Sequence, residues 1–166
     1  HLIHGLLAFV VVTAATWGAE RRLVLLHTND LHDHVRAGDD RRGGLPYVAG
    51  YVRQVRAEEA AVLLVDAGDV TEKGDLVASR TEGVMTYEAM RRIGYDGVAV
   101  GNHDFDDVPP ERIQRFESAL GQALLCLNIL QADGRPVFAP SRVLERGGLR
   151  IALIGMIVPR KPGQGG

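Results

Sequence analysis

A single cysteine, Cys126, stands in this 166-residue sequence, which excludes an intrachain disulfide. It lies in the apolar run Leu124-Leu125-Cys126-Leu127, where a lone thiol reads as a small buried hydrophobe rather than a nucleophile. Neither sign of charge dominates. The formal net charge of −2 excludes a nucleic-acid wrapper and a polybasic membrane binder. A small anionic substrate would need local positive charge from elsewhere, and metal ions are one source. There is no repeat of fixed period and no low-complexity tract, so solenoid and linker classes are excluded.

Nor is there an apolar run long enough to cross a bilayer. The run at residues 6–15, about ten residues long, has the length of a signal-peptide h-region. Small residues follow it, with Thr13-Ala14-Ala15 a candidate cleavage site, whereas Trp17 disfavours cleavage after Ala19. A basic n-region is lacking and the chain starts at His1, so residues 1–19 read as a signal peptide whose front is missing. A buried core segment shares that composition and is the alternative. The first reading implies a secreted, periplasmic or cell-surface protein with no stable membrane span.

What is present is ordinary for a globular domain: 46% hydrophobic and 24% charged residues, enough chain for one real core. The apolar runs at 22–27, 61–66, 97–100 and 124–127 predict buried strands. Between them lie helical stretches. One begins near Gly44-Leu45-Pro46 and runs to residue 59, with Val48, Tyr51, Val52 and Val55 on one face. A second covers 83–93 and is stopped by Gly94, and a third opens at Pro109-Pro110 and runs to Leu120. Residues 142–145 and 149–154 flank Gly147-Gly148 and read as a hairpin. Strands alternating with helices imply an α/β fold with a largely parallel sheet.

In such a sheet, ligands bind beyond the carboxyl ends of the strands. Three successive strands end in Asn29-Asp30-Leu31-His32, Asp66-Ala67-Gly68-Asp69 and Gly101-Asn102-His103-Asp104, so all three clusters share one edge. Mixed carboxylate and imidazole donors suit Zn, Mn, Fe or Co better than Ca. Asp30 and His32 can turn to one cation, Asp69 can bridge two, and Asn102 offers a neutral oxygen that does not repel phosphate. Gly68 and Gly101 keep Cβ atoms clear where the backbone turns near a ligand. Two ions about 3.5–4 Å apart can clamp a phosphate and acidify a water. Asp106 lies three residues beyond His103 and can accept its imidazole N–H. An aspartate at one strand end is often only a turn or cap residue, and loop histidines such as His34 are more often solvated. Three clusters at three strand ends shift that balance.

The stretches Leu26-His27-Thr28-Asn29-Asp30-Leu31-His32, Asp66-Ala67-Gly68-Asp69 and Gly101-Asn102-His103-Asp104-Phe105-Asp106 resemble the ordered motifs of calcineurin-like metallophosphoesterases. They are most similar to the secreted 5′-nucleotidase branch, as are Tyr87-Glu88-Ala89-Met90 and Gly94-Tyr95-Asp96, and the likeness runs over residues 22–157. The resemblance implies that residues 20–166 are the N-terminal part of a metallophosphoesterase domain, itself part of a four-layer α/β/β/α sandwich. It implies two divalent ions, Zn, Mn or similar. Asp30 and His32 would hold the first, Asp69 would bridge, and Asn102 would hold the second. His103 and Asp106 would form the dyad that stabilises the transition state, and His27 would be structural.

Asp33 and Asp104 stand where relatives often carry Gly and Glu, and little consequence is expected of either. No histidine follows His103, whereas the family completes its site with further histidines and a C-terminal nucleotide-binding domain. The expected activity is hydrolysis of a small phosphoester, a nucleotide by the resemblance, through metal-activated water in nucleotide catabolism. The chain by itself is expected to be inactive or nearly so. A non-catalytic metal- or nucleotide-binding relative remains an alternative, as does a sister-branch hydrolase acting on UDP-sugars, cyclic nucleotides or thiosulfonate.

Overall fold

The computed structural model describes residues 20–39, 41–72, 74–105 and 108–158. The segment at 1–19, Asp106 and the stretch from 159 onward lie outside the described residues.

Three parallel strands carry the site. β1 (Val24–Thr28) pairs with β2 (Val62–Asp66) from Val24↔Val62 to Thr28↔Asp66, and β2 pairs with β3 (Gly97–Val98) at Val65↔Gly97. The order is β1-β2-β3, so β2 is central and its run Val-Leu-Leu-Val-Asp is buried almost throughout. The outer strand β1 departs from the expectation of burial. Its exposure alternates, Leu25 is 57% exposed and His27 is exposed. Burial of an apolar run requires cover on both faces, and among the described residues β1 has cover on one.

Each helix follows from local chemistry. α1 (Leu45–Glu58) has Pro46 in its first turn, where a missing N–H is harmless, and buries Leu45, Val52 and Val55. α3 (Val84–Ile93) is bounded by Gly83 and Gly94, both left-handed, and buries Thr86, Tyr87 and Met90. α5 (Pro110–Leu120) ends at left-handed Gly121 and buries Phe116 and Leu120. The short helices α2 (Leu76–Arg80) and α4 (Asn102–Phe105) are additions to the elements read from sequence.

The core forms where α3 and α5 meet the sheet. Leu64, Val98 and Val100 pack with Tyr87, Met90, Phe116, Leu120 and Leu124. Tyr87 and Phe116 stack at 4.5 Å between centroids. Burial of each such side chain contributes about 1.5–3 kcal/mol. Cys126 is fully buried in the same cluster, as a small hydrophobe would be.

The expected fourth strand shrinks to a single residue. Leu125 bridges Ala99 on one side and Ala139 on the other, both parallel, with no ladder beyond. The hairpin forms as expected: β4 (Ser141–Arg146) and β5 (Leu149–Ile154) pair antiparallel across Gly147 and Gly148. Both glycines have positive φ, as a two-residue hairpin turn requires. This second sheet meets the first on the face away from α3 and α5. A Cβ at Gly97 would lie 2.6 Å from Leu153, and Val65, Ala99, Leu125 and Leu153 line the space between the sheets. The result is a mixed α/β fold with a helical layer, a parallel sheet and an antiparallel hairpin.

Candidate metal centre

The loops that follow β1, β2 and β3 are laced together by their backbones. Asp30 N–H donates to Gly68 O at 3.0 Å, His32 N–H to Asp69 O at 3.0 Å, and Asp33 N–H to Val70 O at 2.8 Å. The second and third loops approach more closely still. A Cβ at Gly101 would lie 2.1 Å from Asp69 N, and one at Gly68 would lie 2.6 Å from Gly101 N. Both glycines are therefore required by space, as their place beside the expected ligands suggested.

This lacing forces an uncommon backbone on three expected donors. Asp30 (φ 52°), His32 (φ 43°) and Asp69 (φ 56°) are all left-handed. Non-glycine residues adopt that region rarely, and such residues cluster where a site demands them. Here the consequence is convergence: Asp30, His32 and Asp69 each offer one donor atom, and these atoms lie within 4.8 Å of one another. His32 Nε2 is 3.6 Å from Asp30 Oδ1.

Asn102 opens α4, and with Asp30, Asp69, Gly68 and Gly101 it lines a cavity of about 460 Å³. Met156, Ile157 and Val158 form its apolar wall. His103 follows in α4. Its N–H donates to Asp69 Oδ1 at 3.0 Å and its side chain is 40% exposed. The rings of His32 and His103 meet edge-on, 5.1 Å between centroids. Asp30, His32, Asp69, Asn102 and His103 thus gather at one strand edge. Asp106, the expected partner of His103, lies outside the described residues. His27 and His34 are both exposed.

Glu72 escaped the sequence reading. Its carboxylate lies 2.6 Å from His32 Nδ1 and 3.7 Å from His103 Nδ1, so Glu72, His32 and His103 form a second group of convergent donors. No motif marks it. The signal available was an acidic side chain three residues beyond Asp69 in the same loop.

Asp33 and Asp104, expected to matter little, are instead buried anchors, 3% and 1% exposed. Asp33 Oδ1 accepts the Thr86 hydroxyl at 2.5 Å and Oδ2 accepts Glu72 N–H at 3.1 Å, which ties the first loop to α3 and to the second loop. Asp104 accepts four hydrogen bonds, from Thr71 N–H, the Thr71 hydroxyl, the Tyr87 hydroxyl and Gly101 N–H, at 2.9–3.1 Å. It joins the second loop, α3 and the third loop beneath the donors. The correction has a physical reason: burial, invisible in a local motif, makes each carboxylate the acceptor for donors that are themselves shielded from solvent.

Burial also sets the titration of this floor. It pushes the Asp66 carboxyl up to about 7, against hydrogen bonds from the Thr28 hydroxyl and Gly68 N–H that favour the ionised form. Burial raises Asp33 too, opposed by Thr86 and Glu72 N–H. Burial, then the Asp104 charge, drives the Tyr87 phenol well above its ordinary value. Of the carboxylates in this region, Asp30 and Asp69 line the cavity itself, while Asp33, Asp66 and Asp104 are buried beside the loops that carry them.

Comparison with known proteins places the whole chain rather than its single residues. The chain is 30% identical over 162 residues to a 5′-nucleotidase of Vibrio cholerae, covering 93% of this chain and 29% of that protein. It is 33% identical over 140 residues to Protein UshA of Escherichia coli, covering 81% of this chain and 25% of that protein. Its fold superimposes on a 5′-nucleotidase precursor from Thermus thermophilus with a TM-score of 0.70 at 29% identity, over 82% of this chain and 29% of that one. The chain spans under a third of the length of these relatives. The description "calcineurin-like phosphoesterase" matches residues 23–152. That match runs from the edge of β1 into β5 and takes in all three laced loops; the chain belongs to the calcineurin-like phosphoesterase family.

Proposed function

We propose that this protein serves the hydrolysis of phosphoesters, with 5′-nucleotides as the substrate class, and that Asp30, His32, Asp69 and Asn102 hold two divalent cations. The observation that carries this reading is the convergence of the Asp30, His32 and Asp69 donor atoms within 4.8 Å, on a backbone held left-handed at all three. The donor set suits the ion: two carboxylates and an imidazole fit Zn, Mn or a similar metal. His32 turns Nε2 toward Asp30 Oδ1 at 3.6 Å, so the imidazole presents that nitrogen to the carboxylates.

When bound, such ions neutralise charge on a phosphoryl group and activate water. The chain's own residues do the rest. Asp69 is fixed by the His103 N–H on one oxygen, which leaves lone pairs on its second oxygen for a cation. Asn102 adds an oxygen without adding negative charge, so the approach of a phosphate is not opposed. His103, half exposed beside the cavity, donates a hydrogen bond or a proton to the phosphoryl or leaving oxygen. Hydrolysis consumes one water and yields phosphate and an alcohol, which for a 5′-nucleotide is the nucleoside. The cavity's apolar wall of Met156, Ile157 and Val158 offers a surface to the organic part of the substrate. The names of the relatives support the nucleotide class, and the apolar run at 6–15 supports a place outside the cytoplasm. No helix among the described residues is long and apolar enough to cross a membrane.

The test is calorimetric titration of the chain with Mn²⁺ or Zn²⁺, then with a 5′-nucleotide, in the native chain and in Asp69→Asn. Cation binding lost in Asp69→Asn is expected, with nucleotide binding that requires the cation. Any phosphate release is expected to vanish in Asp69→Asn. Absence of cation binding, or release indifferent to Asp69, overturns the reading.

A further inference from the structure

Glu72 stands between the two histidines of the site, with Oε2 2.6 Å from His32 Nδ1 and Oε1 3.7 Å from His103 Nδ1. Its position is set by the fold. Its N–H is held by buried Asp33, which the Thr86 hydroxyl anchors to α3. Gly74, two residues on, packs so closely on Asp33 that a Cβ would lie 2.2 Å from its carbonyl carbon.

His32 presents a different nitrogen to each side. Nε2 faces Asp30 within the donor group, and Nδ1 faces Glu72. Nδ1 is shut off from water, and the Glu72 oxygen, though 2.6 Å away, approaches off the axis of the ring N–H. A neutral imidazole carries one proton, and the nitrogen that carries it has no lone pair for a cation. For Nε2 to serve the donor group, the proton must sit on Nδ1, the side of the ring on which Glu72 Oε2 lies 2.6 Å away. A carboxylate on the far nitrogen is also what fixes ring orientation and strengthens a metal-binding histidine.

We propose that Glu72 is a positioning residue: it holds His32 as the Nδ1–H tautomer, keeps Nε2 open toward Asp30 and Asp69, and fixes the edge of His103 through the same carboxylate. The proposal rests on the reading of Asp30, His32 and Asp69 as cation donors, but its first test does not depend on it.

That test is the ¹⁵N-histidine spectrum of the metal-free full chain, at a mildly alkaline pH where imidazoles are neutral. His32 is expected as Nδ1–H in the native chain and in Glu72→Gln, whose amide oxygen still accepts a hydrogen bond. Glu72→Ala is expected to shift it toward Nε2–H, the form an unconstrained imidazole prefers. Calorimetry with Mn²⁺ is expected to show a fall of about 10–100-fold in affinity for Glu72→Ala and substantial rescue by Glu72→Gln. Matched thermal unfolding of the three metal-free chains controls for folding. An unchanged tautomer in Glu72→Ala overturns the proposal. So does equal loss of one cation equivalent in both variants, which would make Glu72 a ligand. If the native chain binds no cation, the cation reading fails, while the tautomer result still decides what Glu72 does to His32.

Discussion

The Asp69 carboxylate accepts the backbone N–H of His103 at 3.0 Å, across 34 residues of sequence. One side chain therefore belongs at once to the donor group and to the device that sets the position of α4. Asp69→Asn separates these roles, because an amide oxygen can still accept the His103 N–H while the charge is gone. The expected result is a fall in cation affinity of at least about 10-fold, with unfolding free energy of the metal-free chain within about 1 kcal/mol of native. Calorimetry and urea titration measure the two.

Asp104→Ala has the opposite profile. It strands four buried donors, and the expected destabilisation is about 3–5 kcal/mol by denaturant unfolding. Weakened cation binding should follow, because Gly101 N–H loses its acceptor and the third loop loses its tie.

Asp66 gives a pH dependence with a definite sign. Its folded pKa is about 7 against an ordinary value of 3.8, so between these values the folded chain holds a proton that the unfolded chain has released. The stabilisation is full below about pH 4 and is lost as pH rises through 7. The span is on the order of 4 kcal/mol. In chelator, the stability of the native chain relative to Asp66→Asn should therefore decline from pH 4 to pH 8. A flat difference would contradict the raised pKa.

Gly101→Ala tests the interlock of the loops. The new methyl would fall on Asp69 N and Oδ1 at 2.1 Å, both parts of the donor region. A loss of at least about 1–3 kcal/mol is expected, together with loss of cation binding. Gly50→Ala, where a Cβ meets nothing within 4 Å, is the matched control and should be neutral or slightly stabilising.

Much of this was legible in the sequence because periodicity and strand-end chemistry are local. α1, α3 and α5 announced themselves by an apolar stripe with Pro or Gly at the ends, and the hairpin by Gly147-Gly148. Asp30, His32, Asp69, Asn102 and His103 were legible because parallel strands deliver their ends to one edge. What was not legible depends on contacts between distant segments. α4 is a single turn held by Asp104 and Asp69, with no apolar period to betray it. Residues 124–127 have the composition of a strand, but among them only Leu125 forms a β-bridge, and the N–H groups of Cys126 and Leu127 donate to separate segments at Ala139 and Gly155. Asp33 and Asp104 look like minor loop variants until their burial is seen. Glu72 becomes part of the site only when the second loop folds back over the first.

The left-handed backbone at Asp30, His32 and Asp69 has an evolutionary consequence. Glycine adopts this backbone without a Cβ clash, so the backbone alone does not call for aspartate or histidine at these positions. If these residues hold cations as proposed, a lineage released from that role can drift toward glycine at the three sites, and it loses the donors as it does so. On the proposed reading the donors and a relaxed backbone compete for the same three residues, so stabilising substitutions for this domain are better sought in the helices than in the loops.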